Sequence, residues 1–289
     1  MKPAPFAYRR PASLTDAVDL LARSPGAKVL AGGQSLVPLL AMRLAAPEML
    51  VDINALPDLD HVRCSADGVR VGALARHAAV LASVEARAVQ PLLALALANV
   101  AHATIRNRGT SVGSLVHADA AAELPAVLRL LGGSVDVVGP GGRRTIPVDD
   151  LYVGPLESSV RPDEIAVEAF FPALAAGAGV AFAEIARRHG DYAMCGVAAL
   201  VRLGGDAPDE RVVEARLGYL SVCDVPTVVD VTGVAVEDAG DVALRSLDPA
   251  DDIHGTAHYR SQLVRVLTER VLRAAHDGAR ARRTPGGDR

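Results

Sequence analysis

Tryptophan is absent from this 289-residue chain, and four Phe and five Tyr are its only aromatic residues. Half of the residues are apolar, so a sizeable core can form, but it has to be built from Ala, Val and Leu. Cysteine is scarcer still. Cys64, Cys195 and Cys223 lie far apart and form no Cys-x-x-Cys pair. That spacing excludes an iron–sulfur cluster or a zinc site within the chain and suits three reduced thiols in a cytoplasmic protein. Lysine occurs only at positions 2 and 28, and arginine carries the rest of the basic charge. The net charge of −4 lacks the basic excess that nucleic acid requires. No apolar run reaches membrane-spanning length free of charge and turn residues, and the opening MKPAPFAYRRP has no signal-peptide core. Ser-His-Asp, Cys-His and paired-carboxylate constellations are all missing, so no catalytic residue is assigned. His117 and His189 have no partner at ligand spacing, so no metal site is expected.

What the chain does have is two glycine-centred turns, Lys28-Val-Leu-Ala-Gly-Gly-Gln-Ser-Leu36 and Arg106-Asn-Arg-Gly-Thr-Ser-Val-Gly-Ser114. Neither reads as a Rossmann loop or a P-loop. Glycine can take positive φ and lets main-chain N–H groups approach phosphate oxygens. A strand–Gly-Gly–helix turn also aims the positive end of the following helix at an anion. Gln34 and Ser35 can add side-chain donors. Each turn alone is also explained by an ordinary connection. Two together suit the diphosphate bridge of a dinucleotide such as FAD better than a terminal triphosphate.

Periodicity and turn signals organise the rest. Ser13 reads as the N-cap of a helix to Ser24. Lys28–Ala31 reads as a strand, Leu36–Leu44 as a helix and Met49–Ile53 as a buried strand. A second unit starts near Leu56. It contains a strand at Gly68–Leu74, helices at His77–Glu85 and Pro91–His102, and a helix over residues 120–128. A hairpin, Ser134–Val138 with Arg143–Val148, and a strand at Glu164–Phe171 complete it. Residues 172–179 are Ala/Gly-rich and read as a linker. Three strand-like runs follow, at Val180–Arg187, Val197–Leu203 and Arg211–Val222. A helix at His258–His276 comes last, with Leu263, Val264, Val266, Leu267 and Val271 as its apolar face. Residues 281–289 are expected to be a disordered tail.

Further segments extend the pattern over nearly the whole chain: Tyr8-Arg-Arg-Pro-Ala-Ser-Leu14, Leu50-Val-Asp-Ile53, Ile105-Arg-Asn-Arg-Gly-Thr110, His117-Ala-Asp119, Ala122-Glu-Leu-Pro-Ala-Val127, Gly190-Asp-Tyr192 and Tyr259-Arg260. With these, the sequence resembles the FAD-binding medium subunit of molybdenum hydroxylases, the carbon monoxide dehydrogenase and xanthine dehydrogenase group. The resemblance implies an α+β fold. A two-lobed FAD-binding domain of the vanillyl-alcohol-oxidase (PCMH) type would span residues 1–174, with lobes of about 1–55 and 56–174. A C-terminal domain, with a three-stranded antiparallel sheet and helices, would span 178–280.

The resemblance also implies noncovalent FAD held by both turns. The first would contribute Leu30, Ala31, Gly32, Gly33, Gln34, Ser35 and Leu36. The second would contribute Thr110, Ser111, Gly113 and Ser114. Asp119 and Glu123 are expected near the ribityl and ribose hydroxyls, where a carboxylate can accept hydrogen bonds. An ordinary N-cap of the next helix is the alternative for Asp119. Lys28 and Ile165 match positions lining the site, and Tyr192 matches an aromatic beside the flavin ring; a solvated strand-end charge, plain strand core and packing at a domain interface are the respective alternatives. The family places its molybdenum cofactor on a large molybdopterin-binding subunit and its 2Fe–2S clusters on a small iron–sulfur subunit, in a dimer of heterotrimers. The implied role is an oxidoreductase subunit that takes electrons from those clusters and passes them to a final acceptor. A stand-alone FAD-dependent oxidoreductase acting on a small molecule is the alternative. The hydroxylated substrate is set by a pocket on another chain. Two departures stand out. Val112 replaces a family glycine, which predicts either ordinary backbone there or a looser grip. Ala183 stands where some relatives carry lysine.

Overall fold

A computed structural model describes residues 2–205 and 210–283. The first lobe is a three-stranded parallel sheet in the order Ala7–Arg9, Met49–Asp52, Ala27–Leu30. Helix Leu14–Arg23 covers it, with the Ser13 hydroxyl accepting from Asp16 N–H as the sequence predicts. Ala17, Val18 and Leu21 from the helix pack with Val51 and Ile53 from the central strand. Parallel strands need crossovers, and the two crossovers here place the first glycine turn at the C-terminal end of strand Ala27–Leu30. Helix Leu36–Met42 then leaves that turn. It ends two residues earlier than its apolar run suggests, because Arg43 takes a left-handed conformation at φ 60°.

The second lobe is a five-stranded antiparallel sheet in the order Val62–Ser65, Gly68–Gly72, Ile165–Pro172, Ser134–Gly139, Gly142–Pro147. One face packs under helices Pro91–Leu97, Ser111–His117 and Glu123–Leu131 to form the largest core. As the composition requires, that core is mostly Ala, Val and Leu, with Phe171 the one fully buried aromatic among its members. The long helix expected from His77 is broken. Ser83 is extended (φ −69°, ψ 114°), and its hydroxyl caps a new helix, Val84–Val89, by accepting from Ala86 N–H.

The C-terminal unit has a four-stranded antiparallel sheet, Ala178–Ala186, Ala193–Gly204, Arg211–Leu220 and Thr227–Asp230. The fourth, short strand joins the three expected from sequence. Residues 193–201 are all buried, because the sheet is covered on both faces. Helix Ala257–Arg283 covers one face through Val264, Leu267, Val271, Leu272 and Ala275. Val266, expected on that face, is exposed. The other face meets the first domain: Ala198 and Leu200 join its core. Residues 281–283, expected in the tail, are helical. Their Ala and Arg residues favour helix, and Arg283 donates to the Gly205 carbonyl. Residues 284–289 of the expected tail lie outside the described residues. Among the described residues, no helix is long and apolar enough to cross a membrane.

Candidate functional site

The two glycine turns come from different lobes and abut. A Cβ placed on Gly32 would lie 2.4 Å from the Arg108 carbonyl oxygen, 2.8 Å from Gly109 Cα and 3.0 Å from Thr110 N. Only glycine allows that approach. Gly33 sits at φ +73°, where side chains are strained. Among the described residues, the N–H groups of Gly32, Gly33, Gln34, Ser35 and Leu36 find no acceptor. Five consecutive free donors beside a cradle that a Cβ would fill fit an anionic diphosphate.

The second turn is more self-satisfied. Thr110 caps helix Ser111–His117, and its hydroxyl accepts from Gly113 N–H at 3.2 Å. Ser111 N–H donates to the Ala75 carbonyl and Ser114 N–H to that of Thr110. Val112, the departure from the family's glycine, lies inside this helix with φ below zero and its side chain buried in the core. Its backbone is ordinary, so a β-branched residue fits there. Beneath the turn lies His77, buried, with Nδ1 3.3 Å from Ser111 Oγ. Burial first, and then the Arg106 charge, push its pKa down to about 4 and keep it neutral.

A side-chain network missed by the sequence reading lies under both turns. Asn54 Nδ2 donates to the Ala31 carbonyl (2.8 Å) and to Asp52 Oδ1 (2.6 Å). Arg76 Nη2 donates to Asn54 Oδ1 (2.7 Å), and Arg76 Nη1 donates to the Arg108 carbonyl (2.7 Å). Tyr8 donates its hydroxyl proton to Asp52 Oδ2. No motif signals this network, because its members are joined only by the fold.

Asp119 and Glu123 lie just past the second turn. Asp119 Oδ1 accepts from Ala121 N–H at 2.9 Å, and the N-cap of the next helix is Ala122. Glu123 opens that helix near Glu184 of the C-terminal sheet. Burial, then the Glu184 charge, then Asp119 push the Glu123 carboxyl up to about 8. Burial raises Glu184 to about 7, and its Oε2 has no partner. Tyr192 is 61 % exposed. Its loop is pressed onto the first domain, where a Cβ on Gly190 would lie 2.7 Å from His102 Cε1. A cavity of about 290 Å³ opens between Asp119, Tyr192, Ser221, Cys223, Asp248 and Arg260. Lys28 is exposed on the strand entering the first turn. Leu30 and Leu36 flank that turn and are half-buried. Ile165 is 1 % exposed and belongs to the first-lobe core with Val51 and Ile53.

Residues 4–174 match the family described as the FAD binding domain in molybdopterin dehydrogenase. Residues 180–275 match the CO dehydrogenase flavoprotein C-terminal domain. The chain is 42 % identical to the 6-hydroxypseudooxynicotine dehydrogenase complex subunit alpha of Paenarthrobacter nicotinovorans, over 97 % of each chain. It is 34 % identical to the carbon monoxide dehydrogenase medium chain of Hydrogenophaga pseudoflava, covering 95 % of this chain and 98 % of that one. Among solved structures, it superimposes on carbon monoxide dehydrogenase from Hydrogenophaga pseudoflava with a TM-score of 0.89 at 34 % identity, covering 98 % of this chain and 99 % of that one. Quinoline 2-oxidoreductase from Pseudomonas putida 86 gives the same TM-score at 35 % identity, covering 96 % and 99 %. The chain therefore belongs to the FAD-binding medium subunits of the molybdopterin dehydrogenases, the family of the carbon monoxide dehydrogenase medium chain.

Proposed function

We propose that this subunit holds FAD with its diphosphate across the seam between residues 31–35 and 110–114. The observation that carries the reading is the contact of Gly32 with the Arg108 carbonyl beside five unpaired N–H groups. The first turn supplies most of the main-chain donors. Gln34, Ser35 and Ser114 add side-chain donors, while Thr110 and Ser111 shape the second wall. Lys28, Leu30 and Leu36 flank the first turn, and Ile165 supports it from the core beneath. Asp119 and Glu123 accept hydrogen bonds from ribityl and ribose hydroxyls in this reading, which their position just past the second turn supports. At pH 7 Glu123 is mostly protonated and can also donate. Tyr192 covers the flavin end of the cleft.

FAD, when bound, takes electrons singly and gives them up in pairs, which joins iron–sulfur clusters to a two-electron acceptor. This chain's residues orient the cofactor and exclude water from the seam. The reading extends to a dimer of heterotrimers with a large molybdopterin-binding subunit and a small iron–sulfur subunit. The relatives' names support assembly, since they are a complex subunit, a medium subunit and medium chains of dehydrogenases and hydroxylases. They favour a subunit over a stand-alone flavoenzyme. A cytoplasmic setting belongs to the proposal, supported by three unpaired cysteines.

Native mass spectrometry with metal analysis, on the complex captured through this chain, tests the reading. One FAD per copy, two further subunits, and molybdenum with iron are expected. A metal-free flavoprotein that turns over a small molecule alone would contradict it.

A further inference from the structure

We propose that Arg76 and Asn54 form a strut that sets the spacing of the two glycine turns, and so act as positioning residues for the diphosphate site. The proposal rests on the FAD reading above but stands on contacts of its own. The turns press together at Gly32, yet no main-chain hydrogen bond joins residues 31–36 to residues 108–114 among the described residues. What joins them is a two-side-chain relay: the Ala31 carbonyl to Asn54, Asn54 to Arg76, and Arg76 to the Arg108 carbonyl, with links of 2.8, 2.7 and 2.7 Å.

Chemistry fixes the direction of each link. Asn54 faces two acceptors, the Ala31 carbonyl and the Asp52 carboxylate, so its NH₂ must point there and its oxygen must meet Arg76. Asn54 N–H also donates to Asp52 Oδ1 at 2.9 Å, which anchors the amide at the end of the central strand. Tyr8 holds the far oxygen of Asp52. The whole first lobe thus stands behind one face of Asn54.

On the other side, Arg76 is tied to the second turn twice. Its main chain pairs with Thr110, with His77 N–H donating to the Gly109 carbonyl at 3.0 Å and Ser111 N–H to the Ala75 carbonyl at 3.2 Å. Its guanidinium then reaches across to Asn54. A planar fork can hold both acceptors at once, whereas an ammonium is a single point charge on a flexible stem. The relay engages the carbonyl side of both turns. That leaves the free N–H groups of Gly32 to Leu36 for an anion. It also sets a guanidinium, always charged in proteins, behind the carbonyls of both turns, where its positive charge would favour an anion held at the seam. Arg76 therefore acts through geometry and through charge.

The test uses the full chain with Arg76→Met, Arg76→Lys and Asn54→Asp. Asn54→Asp keeps the Arg76 link and replaces the donor to Ala31 with a repelling oxygen. Two readouts are needed: FAD affinity by flavin fluorescence titration, and amide hydrogen exchange of the FAD-free chain. Arg76→Met and Asn54→Asp are expected to weaken FAD by roughly 10- to 100-fold, the range that losing charge-assisted hydrogen bonds gives. Arg76→Lys should fall between them and the parent. In the FAD-free chain, exchange at the hydrogen-bonded amides of Val37 and Asn54 on one side and of Arg108, Gly109 and Ser111 on the other should rise together in Arg76→Met, while the sheet of the C-terminal unit keeps its protection. Unchanged exchange at both turns in folded Arg76→Met, or FAD affinity within threefold of the parent, would overturn the strut. If the parent chain itself takes no FAD while the coupled exchange change is seen, the strut stands and the FAD reading fails instead.

Discussion

Replacing Gly32 with alanine is the sharpest perturbation of the seam. Its Cβ would meet three main-chain atoms at 2.4, 2.8 and 3.0 Å, and no flexible side chain is among them to move aside. Ordinary contact begins at 3.4 Å, so the Arg108 carbonyl has to retreat by about 1 Å. A shift of that size would disturb the Arg76–Arg108 hydrogen bond, now 2.7 Å. Overpacking of this kind costs ~1–3 kcal/mol of stability. The larger effect falls on FAD. Each main-chain donor pulled out of reach of a charged phosphate costs ~1.5–3 kcal/mol, or roughly 10- to 100-fold in affinity. Gly33→Ala is the control. It brings backbone strain at φ +73°, but its nearest neighbours, Leu30 Cδ1 at 3.1 Å and Val37 Cγ2 at 3.2 Å, are side-chain ends that can give. Flavin fluorescence titration and thermal unfolding of both variants are the assays. Gly32→Ala should lose far more affinity than Gly33→Ala at comparable stability loss. A folded Gly32→Ala chain that binds FAD like the parent would refute the reasoning.

Two further outcomes follow from the same geometry. Burial keeps Glu123 protonated up to about pH 8, whereas an unfolded chain ionises it near the ordinary carboxylate value of about 4.3. The folded state therefore holds the extra proton, and stability falls as pH rises through that window, with Glu184 acting in the same direction. Between about pH 6.5, above which the opposing His77 contribution is spent, and pH 8.5, the Tm of the FAD-free chain should drop. Glu123→Gln should flatten that drop, and parallel declines in parent and variant would contradict the assignment. Gly179→Ala would put a Cβ 2.1 Å from the Ala275 carbonyl and 2.3 Å from Ala279 N. It should force helix Ala257–Arg283 off its sheet and lower stability by ~1–3 kcal/mol or more in denaturant unfolding, and an unchanged midpoint would count against that packing.

The sequence carries its structure legibly where the physics is local. The Ser13 cap, the Gly32-Gly33 turn and the alternation of the Ser134–Gly139 strand depend on neighbours within a few residues. Family resemblance extended this to domain order and cofactor. What the sequence hid depends on contacts distant in the chain. The strand Ala7–Arg9 exists because Met49–Asp52 pairs with it. The Arg76–Asn54 link spans 22 residues and carries no motif. Glu184 reads as one polar position in an apolar strand, and only the packing of the C-terminal sheet against helix Glu123–Leu131 brings its charge to Glu123. The break at Ser83 was hidden for another reason. Apolar residues continue through it at helical spacing, and the serine prefers to cap a new helix.

Where the FAD diphosphate lies in a crystal structure of the chain grown with FAD is the most direct measurement of the central claim. The account predicts phosphate oxygens within hydrogen-bonding distance of the Gly32 to Leu36 amides, with the second turn across the seam. Electron density for the diphosphate anywhere else on the subunit would contradict it.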